Sequence, residues 1–322
     1  MRENTSLFSG RKRTIAAMSG LALTFALTAC GASGDPLDEG SGSDGETSGP
    51  VVVGSADFPE SQTIAEIYAG ALESAGVESS TKLNIGSREI YYEALQDGSI
   101  DIIPEYTGNL LLFANANTEA SSASEILEAL PKALKEKSPD VNLGVLEPAE
   151  AQNKDSLVVT QATAEKYDLK SIEDLSEVCD ELVFAAPSTF AERAYGLPGL
   201  KETYDCVPKS FEGINDGGGA VTLDALLADK VQVADIYTTT PAIEENSLVV
   251  LEDPKNNFLA QQVVPLVNKE ALGDKGVEVL NEVSSKLTTE DLMKLNSAVS
   301  GDAKQSPEAA AADWLKENGF TE

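Results

Sequence analysis

From Val51 onward the chain alternates short apolar runs with segments whose apolar residues recur every three or four positions. The run "VVVGSA" (51–56) reads as a strand, because β-branched residues bounded by small ones suit a buried, pleated surface. "SQTIAEIYAGALESAG" (61–76) places Ile64, Ile67, Tyr68, Ala71 and Leu72 on one helical face. "TKLNIG" (81–86) predicts a strand, a helix starts at Arg88, and "IDIIPEY" (100–106) predicts a further strand. "DSLVVT" (155–160), "ELVFAAP" (181–187), "KSFEGI" (209–214) and "VQVADIY" (231–237) continue the strand series with helical patterns between them. From Asn268 the pattern is helical, through "VEVLNEVSSKL", "TEDLMKLNSAV" and "PEAAAADWLKENG". Strands alternating with helices imply βαβ units, an α/β class and a largely parallel sheet.

One internal comparison organises the chain. "EALQDGSIDIIPEYTG" (93–108) lies without gaps over "DALLADKVQVADIYTT" (224–239), an offset of 131 residues. Both read helix end, polar turn, apolar strand, then Tyr-Thr. Each half therefore sends out a strand whose carboxyl end presents a tyrosine, Tyr106 in one and Tyr237 in the other. Ligands of open α/β sheets bind at the carboxyl ends of the strands, so two such lobes would hold these rings on opposite walls of a cleft. The roughly 270 residues after the N-terminal segment exceed one small domain and suit two lobes.

The first fifty residues follow other rules. Arg11-Lys12-Arg13 precede a sixteen-residue apolar segment, Thr14 to Ala29, which is shorter than the roughly twenty residues a membrane span needs. This is a secretory signal pattern, assigned to residues 1–29. Leu27-Thr28-Ala29-Cys30 resembles the lipobox of bacterial lipoproteins, which implies a lipid on Cys30 and attachment to the outer face of the cell membrane. "GASGDPLDEGSGSDGETSGP" has almost nothing with which to build a core, so 30–50 is expected to be a flexible tether. Cys179 and Cys206 then remain as an even pair in an exported chain, and a disulfide is the expected state, with two separate buried thiols as the alternative.

Composition narrows the chemistry. The chain has no histidine, which removes Ser-His-Asp and Cys-His catalysis and most catalytic zinc sites. A formal charge of −31 repels nucleic acid phosphates. No enzyme motif and no cofactor signature is present, so the cleft reads as a binding site. Tyrosine faces hold cations that lack N–H donors, quaternary ammonium above all. Past the signal, Arg88 and Arg193 are the two arginines against seventeen lysines. Arg193, just beyond "ELVFAAP", is the candidate carboxylate partner, with a surface ion pair as the alternative; Arg88 reads as an ordinary first-turn helix residue. Thr107-Gly108-Asn109, Ser188-Thr189 and Gly217-Gly218-Gly219 stand where strands hand over to helices and would offer backbone N–H groups, although the glycine triplet reads better as a tight turn.

"VGSADFPESQTIAEIYAGALESAG", "NIGSREIYYEALQDGSIDIIPEYTGN", "DSLVVTQATAEKYDLKSIEDL" and "LPGLKETY" together resemble the substrate-binding proteins of ABC importers for glycine betaine, choline and carnitine. The resemblance covers nearly all of 51–320. It implies a two-lobed periplasmic-binding-protein fold, type II-like, with a ligand cleft between the lobes and two hinge crossovers. Residues 51–157 plus 262–322 would form one lobe and 158–261 the other. Implied partners are a quaternary ammonium ligand and the permease and ATPase subunits of an importer.

By matching motif, Tyr106 and Tyr237 would be cage walls, Arg193 the carboxylate partner, and Phe58 part of the first-strand loop that lines the site, with Thr107 beside Tyr106. The departures from the family pattern are Ala56 for a frequent Lys, Ser61 for Gln, Asn109 for Thr, and Asp155 and Gln261 where some relatives place further cage tyrosines. These leave ligand identity open, and Asp155 facing the cleft would favour a net-positive ligand such as choline. Tyr91 shares a helix face with Leu95 and reads as core. Tyr195 stands equally between core and site.

Overall fold

The computed structural model describes residues 49–301 and 303–321. The signal segment, Cys30 and most of the tether therefore lie outside the described residues.

Val51–Gly54 (β1), Ser79–Lys82 (β2), Ile102–Tyr106 (β3) and Leu143–Val145 (β4) belong to the first sheet, with helices Pro59–Ser74 (α1), Arg88–Gln96 (α2), Thr107–Ala114 (α3) and Ala123–Lys137 (α4) between them. The chain then crosses into a second sheet. This contains Leu157–Val159 (β5), Val183–Ala186 (β6), Ser210–Gly213 (β7), Val233–Asp235 (β8) and Val249–Val250 (β9). Its helices are Gln161–Tyr167 (α5), Ile172–Leu175 (α6), Leu197–Tyr204 (α7), Ala220–Leu227 (α8) and Ala242–Glu245 (α9). Val263–Asn268 (β10) returns to the first sheet, followed by Asp274–Lys286 (α10), Thr289–Ser300 (α11) and Pro307–Glu317 (α12).

Among the described residues the strand orders are β2-β1-β3-β10-β4 and β7-β6-β8-β5-β9. The two orders correspond position by position. In each, three parallel strands are followed by an antiparallel one that enters straight from a crossover: β10 beside β3, and β5 beside β8. Tyr106 pairs with Val263 in the first sheet, and Asp235 pairs with Leu157 in the second. The sheets are thus mixed rather than largely parallel, because the crossovers bring in their strands from the opposite direction. The two crossovers run side by side, joined by a Gln152–Gln262 bridge and by Asn153 N–H donating to the Gln261 carbonyl.

Two boundaries differ from the sequence reading. Leu157, assigned there to the first lobe, opens β5 and pairs within the second sheet. The strand expected over 81–86 is β2, Ser79–Lys82; Asn84 at φ 58° and Gly86 at φ 138° turn the chain out of extended geometry.

Each lobe has its own apolar core. One face of the first sheet packs Val53, Ile102 and Val267 against α1 and the C-terminal helices through Ile64, Leu72, Leu280 and Trp314. The other face packs Ile103 and Leu266 against α2–α4 through Leu95, Leu111 and Leu130. Phe184, Val233 and Leu200 anchor the second lobe. Cys179 and Cys206 form the expected disulfide, with Cα atoms 5.4 Å apart, tying the segment before β6 to the end of α7.

Candidate functional site

The carboxyl ends of β3 and β8 converge on a cavity of about 270 Å³ lined from both lobes. Phe58, Tyr106, Asn109, Asp155, Arg193, Tyr195 and Tyr237, seven of the residues singled out from sequence, line it, and so does Ala56. Phe58 precedes α1, whose entry is fixed by Pro59 in its first turn. Its ring centroid lies 6.2 Å from Tyr106 and 5.5 Å from Tyr237, so the two strand-end tyrosines are joined through Phe58 into an aromatic corner spanning both lobes.

Strand alternation puts Tyr106 and Glu105 on opposite faces of β3. Glu105 is fully buried and takes a bidentate contact from Arg88, 2.7 Å to Nε and 2.9 Å to a terminal nitrogen, plus the Tyr91 hydroxyl at 2.6 Å. Burial is the largest single influence and opposes the Arg88 charge, but Glu105 and the Tyr91 and Tyr195 phenols together raise the Arg88 pKa. A buried ion pair persists only when both partners are paired and hydrogen-bonded, and this one is. Arg88 and Tyr91 both line the cavity. Arg88 is therefore more than an ordinary first-turn residue, and Tyr91 is at once core and pocket wall. The rarity of arginine, applied to Arg193, would have found Arg88 equally well.

Tyr106 points its hydroxyl the other way. It donates to Glu60 of α1, which also accepts from Asn153 Nδ2 at 2.7 Å, Thr239 Oγ1 at 2.6 Å and Asn296 Nδ2 at 2.6 Å. These four donors come from β3, the first crossover, the loop after β8 and α11. Glu60 is thus a buried hub at the root of both lobes, and nothing in the local sequence marked it.

On the second lobe, one Arg193 terminal nitrogen donates to the Tyr195 hydroxyl at 2.8 Å, and the other lies 3.4 Å from Glu89 of α2. Burial works against its charge, but Tyr195 and Glu89 raise its pKa overall despite the repulsion of Arg88 nearby. Burial, then the charge of Asp155, raises the Tyr195 and Tyr237 phenols above their ordinary range.

Asp155 accepts from Asn109 Nδ2 at 2.8 Å and faces Asp235. Neither Asp235 oxygen has a hydrogen-bond partner of good geometry among the described residues, the Ser156 N–H being the one backbone donor near it. Burial, then the Asp155 charge, pushes Asp235 well above the usual carboxyl range and so favours its protonated form.

Three predicted site residues stand behind the wall. Ser61 Oγ accepts from Ala56 N–H at 3.0 Å. Gln261 clamps Asn109, accepting its backbone N–H at 3.0 Å and donating to its side-chain oxygen at 2.6 Å. Thr107 N–H donates to the Gln262 carbonyl, and Thr107 Oγ1 accepts from Gln262 N–H. The start of α3 thus offers no free anion site at Thr107 or Asn109. Ser188 N–H likewise donates to Asn215, and Gly217 and Gly218 sit at φ 64° and 75°, the tight turn expected of the triplet.

A family model described as the substrate-binding domain of the ABC-type glycine betaine transport system matches residues 49–317. The chain is 32% identical over 288 residues to the glycine betaine-binding protein YehZ of Escherichia coli (strain K12), covering 86% of this chain and 93% of that one. It is 26% identical over 284 residues to the carnitine transport binding protein OpuCC of Listeria monocytogenes, covering 86% and 90%. Among solved structures, a glycine betaine/carnitine/choline ABC transporter protein superposes with a TM-score of 0.64 at 24% identity, over 84% of this chain and 99% of that one. That likeness carries the fold.

Proposed function

Because the chain belongs to the family of substrate-binding domains of ABC-type glycine betaine transport systems, we propose that its cavity captures a small trimethylammonium zwitterion and delivers it to the permease and ATPase of an importer. The family binds and hands over rather than transforms, so the chain is not an enzyme. Lipid on Cys30 and the Gly/Ser/Asp tether would keep it at the outer face of the cell membrane.

The observation that carries the reading is the aromatic corner of Phe58, Tyr106 and Tyr237 in one cavity with Arg193. A trimethylated nitrogen has no N–H to satisfy, so ring faces replace water at little cost. An amine bearing hydrogens would lose its donors' partners against the same rings. Three rings at about 0.5–2 kcal/mol each fall short of the roughly 8 kcal/mol of micromolar affinity. The remainder falls to a carboxylate contact at Arg193 and to closure of the lobes around the ligand.

A second reading rests on the Asp155–Asp235 pair, which puts negative charge beside the rings. It favours a cation without a carboxylate, choline being the simplest. Calorimetric titration with glycine betaine, choline and proline separates the readings. Betaine above choline supports the zwitterion, choline above betaine supports the cation, and no binding by either trimethylated compound removes both.

A further inference from the structure

Glu105 leaves part of Arg88 unused. A guanidinium carries five N–H donors, and Glu105 takes two of them, at Nε and Nη2. Nη1 has no hydrogen-bond partner among the described residues, on a side chain that is only 7% exposed. The side-chain atoms sealed from water without a partner belong to Asp235, Ser284 and Trp314. Nη1 is not one of them, so it opens onto space. Arg88 lines the binding cavity and a neighbouring one of about 320 Å³, and Arg193 lines the same two. A charged donor in so buried a residue is costly unless a further acceptor completes it.

Resting on the zwitterion reading above, we propose that Arg88 is a second partner for the ligand's carboxylate, facing Arg193 from the other lobe. Arg88 opens α2 in the first lobe, and Arg193 lies between β6 and α7 in the second. They are near enough for Arg88 to work against the Arg193 charge. The Tyr195 hydroxyl, which accepts from Arg193, also bears on Arg88. Glu105 neutralises the first arginine. Glu89 lies 3.4 Å from the second on a half-exposed side chain and offsets it only weakly. A carboxylate has two oxygens with about four lone-pair sites. It can accept from both guanidinium groups at once and so join the two lobes through the ligand. Choline brings no such anion and leaves the free donors of Arg88 unfilled. Arg88 thereby determines specificity for a zwitterion over a simple cation.

The test begins with a crystal structure of the chain bound to glycine betaine. A ligand carboxylate oxygen is expected within about 3.2 Å of an Arg88 nitrogen as well as of Arg193. A carboxylate held by Arg193 with Arg88 beyond hydrogen-bond reach overturns the inference and leaves the zwitterion reading standing. Isothermal titration calorimetry then weighs the contact. Arg88→Ala would strand Glu105, so Arg88→Gln is combined with Glu105→Gln. The pair removes both charges and keeps an acceptor for the Tyr91 hydroxyl and the Tyr106 N–H. It is expected to weaken glycine betaine at least about tenfold and to leave whatever affinity choline has within about threefold. Retention of glycine betaine within about twofold, or equal losses for the two ligands, overturns the inference. If the double variant does not fold, the crystal structure decides alone. Failure of glycine betaine to bind the parent removes the zwitterion reading and the inference with it.

Discussion

The Tyr106 hydroxyl donates a 2.5 Å hydrogen bond to Glu60, a carboxylate 46 residues earlier in the chain. One ring of the aromatic corner is thereby fixed from behind by a group that also holds Asn153, Thr239 and Asn296. The ring's orientation and the junction between the lobes share a single buried anchor.

Glu60→Ala would leave three buried donors, on Tyr106, Asn153 and Thr239, without an acceptor, while Asn296 keeps Thr239. The expected loss is about 3 kcal/mol of unfolding free energy, at the upper end for an unsatisfied buried group, read from the denaturant midpoint. Tyr106→Phe keeps the ring and removes one donor, so a smaller loss of about 1 kcal/mol is expected. Equal stability of Glu60→Ala and the parent would remove the hub.

Tyr106→Ala and Tyr237→Ala are each expected to weaken binding of a trimethylammonium ligand by roughly 2- to 30-fold, the affinity equivalent of one cation–π contact. Circular dichroism should show the fold retained. Tyr106→Phe is expected to retain most of the affinity, since the face rather than the hydroxyl meets the cation.

Arg193→Ala should cost a carboxylated ligand more than choline. A tenfold or larger gap between the two losses is about 1.4 kcal/mol, within the range of one charge-assisted contact. Parallel losses would show that Arg193 serves the fold, through Tyr195 and Glu89, and not the ligand.

Asp235 gives the pH dependence a sign. Its folded-state pKa is raised far above the ordinary 3.8, mainly by burial and then by Asp155. Above pH 3.8 the unfolded chain releases this proton while the folded state keeps it, so stability falls as pH rises, until the folded-state pKa is passed. Asp235→Asn places an amide donor against Asp155 and removes that decline. Its unfolding free energy minus the parent's, read from denaturant midpoints, should grow as pH rises from about 4, by up to about 1.4 kcal/mol per pH unit until the folded-state pKa of Asp235 is passed. A difference independent of pH would contradict the raised Asp235 pKa.

The Cys179–Cys206 link closes a separation of 27 residues. The chain-entropy relation gives about 3.5 kcal/mol for a loop of that size. Reduction, or replacement of both cysteines by serine, should lower the melting temperature of the second lobe accordingly, as followed by scanning calorimetry.

The sequence made the lobes legible because periodicity reports which side of an element is buried. The Tyr106 and Tyr237 strands were read from their apolar runs and their shared ending, and they occupy equivalent places in the two sheets. The aromatic corner was legible to that extent. What joins it was not. Glu60 meets partners 46, 93, 179 and 236 residues away, and no local pattern encodes such a meeting. Arg88 and Glu105 lie on consecutive elements 17 residues apart, and their pairing depends on which face of β3 turns towards α2. Ser61 and Gln261 were placed at the site by resemblance to the family's pattern, and Thr107 by its place beside Tyr106. One residue of register, or one hydrogen bond to a crossover, turns such a side chain to the back of the wall.

The most direct test is calorimetric titration of the purified chain with glycine betaine, then with its analogues bearing two, one and no methyl groups on nitrogen, all at one pH. The expected result is affinity that falls stepwise with each methyl removed and is undetectable for glycine. Equal affinity across the series, or tightest binding of the unmethylated amino acid, would contradict capture by the aromatic corner.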